Sequence, residues 1–312
     1  MKTKIALVIA AFCLLSTSLM AGVTNFSNGV SSYGIPLPTG SGFTGGKVFF
    51  VGDSVAGNSD GNPGTMTRPF ATIDYAIGRC TASKGDTIYV LPGHTGTVSA
   101  AGGIDADVAG IRIIGLGNKD NRPVITLGTA DTADIDIDAA NIYFENLKFV
   151  VAKDGLDTVI DVNADDFTIR NCEFEEGTSI QADEYIDVSA NATEIIGNTF
   201  RSVAAGMAHA IQINGTFSDI VIKDNWIYGD FSNAGIYSAS AFVDALIVGN
   251  YVQNLQADDH AVELTAAATG IISDNRFGIN SEAATNALDP GSMKLIQCYV
   301  ATGNVLDDVQ LP

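Results

Sequence analysis

Residues 142–149 read Ile-Tyr-Phe-Glu-Asn-Leu-Lys-Phe, and residues 167–174 read Phe-Thr-Ile-Arg-Asn-Cys-Glu-Phe. Each has two alternating apolar residues, a short polar turn and a bulky apolar residue that closes the unit. The unit recurs at 195–200, 220–227, 247–252 and 272–277. The closing residues fall at 149, 174, 200, 227, 252 and 277, in steps of 25, 26, 27, 25 and 25. A second motif runs in phase with the first. It has an apolar residue on each side of a polar one, centred on Asp136, Asp161, Asp187, Gln212, Tyr237 and Glu263. Two independent features therefore share one period.

Short alternating strands joined by turns at a period near 25 specify a solenoid. Leucine-rich repeats need a Leu-rich consensus and helical repeats need longer amphipathic segments, and this chain has neither. The pattern predicts an all-β, right-handed parallel β-helix of about eight coils, the right-handed sense following the general preference of parallel crossovers. Equivalent residues then stack at ~4.8 Å along the axis. Asn198, Asn225, Asn250 and Asn275 share one turn position and predict an amide ladder. Leu147 and Cys172 hold the same position in the two earlier coils, so the ladder is expected to turn apolar there.

Five segments follow. Residues 1–21 are a signal peptide: Lys2 and Lys4 precede an apolar run, Ile5–Leu15, and Ala21 precedes Gly22. Residues 22–62 are an N-terminal extension. Residues 63–84 hold a helix that caps the solenoid end, with Phe70, Ile73 and Ile77 on one face. Residues 85–277 are the β-helix, and 278–312 form an irregular last coil and tail with a further ladder position expected at Asn304. The segmentation implies export, to a secreted or periplasmic location.

Composition narrows the function classes. The 312 residues are 46% hydrophobic and 17% charged, with a formal charge of −20. Removing the leader takes Lys2 and Lys4 with it and makes the charge −22. Such a surface excludes nucleic acid, which needs Lys and Arg to neutralise phosphates, and anionic membranes. No segment after the leader is apolar enough to span a bilayer. Cys80, Cys172 and Cys298 are too sparse for a disulfide framework and read as small buried residues. His94, His209 and His260 lack metal-ligand spacing.

The stretch from Val51 to Ile77, with its glycine- and asparagine-rich turn and Pro69-Phe-Ala-Thr-Ile, followed by Gly85-Asp-Thr-Ile-Tyr-Val, resembles the opening of pectate-lyase-like parallel β-helix proteins. That superfamily hosts lyases, hydrolases, phage tailspikes and adhesins, so the resemblance implies fold and not activity. The runs Gly22–Pro36 and Ile111–Ile125 are similar to β-helix structural proteins of tailed-bacteriophage virions, where the signal peptide is a departure. This resemblance implies a virion location as the alternative to export, and a non-enzymatic structural or adhesion role in a fibre, tail or head-associated component.

The second motif supplies the candidate site. Its central residues should point outward, so Asp136, Asp161, Asp187, Gln212, Tyr237 and Glu263 form one exposed row. Asp138, Asn163, Ser189, Asn214 and Thr265 form a second. A polar strip with an aromatic residue suits a glycan or cell-surface receptor; a solvated sheet face has the same composition. Repulsion among Asp136, Asp161 and Asp187 makes them a candidate calcium site, the one cofactor considered. Other virion proteins and a homotrimer are further candidate partners. The enzyme alternative is a secreted glycosidase with Asp161 and Asp187 as acid and nucleophile. A polysaccharide lyase fits less well, because no Lys or Arg lies on these rows. The three aspartates have nearly identical strand contexts, so the row is expected to bind and not to catalyse.

Overall fold

The fold is built on residues that tolerate a left-handed backbone. Asn146, Asn171, Gly197, Asp224, Gly249, Asp274 and Gln297 all have φ between 49° and 68°. Each immediately precedes a ladder position and turns the chain within two residues. Asn, Asp and Gly adopt this conformation at least cost. At Gly249 a Cβ would stand 2.4 Å from Asp224 Oδ1, so stacking of the corners also demands glycine there.

The computed structural model describes residues 30–32, 35–37, 46–52, 57–177, 179–202, 206–256, 259–264, 267–280, 287–302 and 305–309. The signal-peptide reading, Thr265 and Asn304 lie outside them. Two compact units are present, 1–45 and 46–312. The first contains an antiparallel pair, Val30–Ser32 with Ile35–Leu37. The second is a parallel β-solenoid of about eight coils. One coil runs from Tyr143–Glu145 through the Asn146-Leu147 corner to Lys148–Val151, and then by a longer loop to Leu156–Val162. Repetition stacks these segments into a first sheet of ten strands, a second of ten and a third of eight. Among the described residues no helix is long and apolar enough to cross a membrane.

The register follows the repeat. Phe149, Phe174, Phe200, Ile227, Val252 and Phe277 pair in sequence along the second sheet. The rings of Phe149, Phe174 and Phe200 stack at 4.8 and 4.7 Å. The Asn ladder works in two directions. Each amide oxygen accepts the backbone N–H of the preceding ladder residue, as in Asn198 N to Asn225 Oδ1 (2.9 Å) and Asn225 N to Asn250 Oδ1 (2.9 Å). Each amide nitrogen donates to a first-sheet carbonyl, as in Asn225 Nδ2 to Ile195 O (2.7 Å). These corners are buried, so the side chains complete a hydrogen-bond account that backbone alone leaves open.

Three expectations need correction. Cys172 is more than a small apolar filler: its sulfur accepts the Leu147 N–H at 3.4 Å, and its own N–H is received by Asn198. At the other end the ladder passes from Asn275 to Cys298, not to Asn304. There Cys298–Thr302 pairs antiparallel with Val305–Val309, so the chain ends in a hairpin at the edge of the second sheet. At the N-terminal end the first strand is Val48–Val51, paired parallel with Thr87–Val90 ahead of the expected start. The capping helix is one short turn, Ile73–Ile77, with Ile73, Ala76 and Ile77 buried and Phe70 buried just before it. Thr72 caps it by accepting from Tyr75 N.

Candidate functional site

The third sheet breaks the alternation that a regular strand requires. In Leu156–Val162 and Ala182–Val188 two adjacent residues are buried, Val159 with Ile160 and Tyr185 with Ile186. Tyr185 faces the core against Phe174 and Phe200, and its hydroxyl donates to Arg201 O at 2.5 Å. The residues on each side of the pair therefore both face outward, three apart on one strand.

Two outward columns result. The first holds the row expected from the repeat: Asp136, Asp161, Asp187, Gln212, Tyr237 and Glu263 are register partners in that order. Asp105 extends it at one end and Asp289 at the other. The second column, Thr158, Glu184, His209, Ala234 and His260, was not anticipated. Its signal was present as Glu184-x-x-Asp187, His209-x-x-Gln212 and His260-x-x-Glu263, in phase with the repeat.

The columns converge on a shallow furrow. The His209 ring stacks on Tyr237 of the first column at 4.2 Å and 6°. His260 Nδ1 lies 3.7 Å from Glu263 Oε2. His209 is only 4% exposed although it is on the outer side of the sheet. Thr158 Oγ1 donates to Glu184 Oε1 at 2.6 Å, Asn214 Nδ2 to Asp187 Oδ2 at 3.2 Å, and Asn163 Nδ2 to Asp138 Oδ1 at 3.1 Å. Asp105 Oδ1, Asp187 Oδ1 and His209 Nδ1 are buried atoms without a hydrogen-bond partner.

Electrostatics separate the carboxyls more than their matching strand contexts foretell. Burial, then Asp134, Asp138 and Asp161, pushes Asp136 up to about 6. Burial and Asp161 push Asp187 up to about 6, against the Asn214 hydrogen bond. Glu184 is pushed up to about 7 by burial and by Asp187, Asp183 and Asp157, against the Thr158 hydrogen bond. Asp105, Asp134 and Asp161 are also raised, burial first. Burial lowers His209 to about 4, partly opposed by its backbone hydrogen bond with Ala234. Sixteen Lys and Arg residues are in the chain, and none lies on a third-sheet strand. The expected calcium site has no counterpart: among the described residues no group of three or more His, Cys, Asp or Glu is arranged to hold a metal ion.

These shifts set a stability profile. A carboxyl whose folded pKa is raised binds more protons folded than unfolded between its ordinary value near 4 and its raised value. Its contribution is present below that window and is lost as pH rises through it. The melting temperature should therefore carry a falling component from about pH 4 to 7. Replacing Glu184→Gln and Asp187→Asn together should flatten that fall and raise the pH 8 melting temperature by about 2–4 °C, equivalent to about 1 kcal/mol. Calorimetry across the window decides it; identical slopes for variant and wild type would contradict the shifts.

A different surface draws notice on the second sheet. Trp226 and Tyr251, both over a third exposed, are register partners with parallel rings 6.1 Å apart. No protein-family model and no curated protein matches the chain. Among solved structures it is similar to one described as "Rhamnogalacturonan lyase", at 11% identity and a TM-score of 0.45, over 80% of this chain and 84% of that one.

Proposed function

We propose that the protein is a β-helix adhesion protein whose third-sheet furrow binds a glycan. The observation that carries this reading is the Tyr237–His209 stack set in line with half-buried carboxylates and Gln212. An aromatic ring offers an apolar face, and the flanking groups accept hydrogen bonds from hydroxyls. With no Lys or Arg on the sheet, the furrow selects against uronates and phosphates. The resemblance of Gly22–Pro36 and Ile111–Ile125 to virion proteins supports a place on a phage particle. Detection of the chain by mass spectrometry in purified particles would test that placement.

A panel of neutral oligosaccharides titrated calorimetrically tests the binding. Tyr237→Ala should weaken the bound member at least tenfold, and Trp226→Ala should leave it unchanged. The reverse result would move the site to the second sheet, and no binding across the panel would end the proposal. The second reading, glycoside hydrolysis, draws on one observation: Glu184 titrates near neutrality beside the lower-titrating Asp187. Release of reducing ends that stops in Glu184→Gln would favour it.

A further inference from the structure

We infer that the furrow is selective for glycans carrying protonated amines, which it holds between Asp136, Asp161, Asp187 and Glu184. This rests on the reading of the furrow as a glycan site and names the class of glycan.

The hydrogen-bonding inventory is one-sided. The side-chain donors at the furrow are already engaged: Thr158 with Glu184, Asn214 with Asp187, and Asn163 with Asp138. What remains is acceptor capacity. Asp187 Oδ1 is buried without a partner. His209 is an independent indication. It is almost wholly buried, is held by the Ala234 backbone and stacks on Tyr237 inside the furrow, yet its Nδ1 has no partner. An ammonium group is all donor, with three N–H bonds and one positive charge.

The arrangement of charge favours an organic cation over a metal ion. Calcium needs six to eight oxygens around a point. Here the carboxylates stand in register along a line, one per coil, at the ~4.8 Å spacing of neighbouring strands. A chain bearing an amine on successive units meets a line of carboxylates with a line of charges. The nearby cation, Lys153, is paired with Asp131 in the loops before the sheet and leaves the furrow uncompensated.

The test compares a glucosamine hexamer bearing free amines with its fully N-acetylated counterpart by calorimetry at pH 6.5. The free-amine hexamer should bind at least tenfold tighter and lose most of that margin in 0.5 M salt. Asp161→Asn with Asp187→Asn should remove the margin. Asp120→Asn with Glu194→Gln, an equal change of net charge outside the furrow, should keep it. Equal affinity for both hexamers would overturn the inference while leaving glycan binding intact. Failure of both hexamers and of the neutral panel would overturn the underlying reading as well. A margin lost equally in both double variants would assign the preference to overall charge and overturn the inference.

Discussion

Ile222→Asp is expected to abolish folding. Ile222 is fully buried on the first sheet, in register between Ile195 and Ile247. A carboxylate there has no cation partner and costs several kcal/mol, against a total stability of ~5–15 kcal/mol. Its comparison is Asn225→Leu. The repeat alone ranks that change as mild, because Leu147 holds the equivalent position. The structure makes it more severe. Asn225 Oδ1 accepts from both the backbone N–H and the side-chain amide of Asn198, and Asn225 Nδ2 serves Ile195 O. Leu147 lacks an amide but has Cys172 sulfur beyond it, so its corner was built for the exchange. At about 1–3 kcal/mol for each buried group left unsatisfied, Asn225→Leu should cost about 2–6 kcal/mol. Denaturant melts should show Asn225→Leu folded with a clearly lowered midpoint and Ile222→Asp with no folded baseline. An Asn225→Leu midpoint equal to wild type would mean that the ladder contributes nothing to stability.

The repeat made most of this fold legible. Its period fixed which residues stack, and the pairing of Asp136, Asp161, Asp187, Gln212, Tyr237 and Glu263 follows directly. The second column of the furrow was hidden by the same rule. Strict alternation from Asp187 outward puts Ile186 in, Tyr185 out and Glu184 in. The structure turns Tyr185 inward, because its ring seats against Phe174 and Phe200 and its hydroxyl reaches Arg201 O. Glu184 is thereby sent outward beside Asp187. The environment of a carboxyl depends on such long-range seating, so two aspartates in matching tripeptides need not titrate alike. The C-terminal ladder position failed for a related reason. A cysteine stands where four coils use asparagine, and a sulfur acceptor leaves no pattern that a period search would weigh.

Phe174→Ala is expected to damage both core and furrow. Phe174 is fully buried, stacked between Phe149 and Phe200, with Tyr185 5.5 Å away. Truncating a buried phenylalanine costs about 3–5 kcal/mol, and a rigid stack with neighbours fixed by register collapses poorly into the void. Tyr185 loses one wall of its seat. That seat is what places Glu184 outward, so the change should reach the surface although residue 174 never touches it. The expected result is a lowered denaturation midpoint together with a Glu184 pKa that returns toward the ordinary carboxylate range, followed by NMR of its side-chain carboxyl. Phe174→Leu keeps most of the volume and should cost about half as much while leaving the Glu184 titration near its wild-type position. A Phe174→Ala protein that loses stability but titrates unchanged at Glu184 would show that the bend in the third sheet is held by the Arg201 hydrogen bond alone, and would break the proposed link between core and furrow.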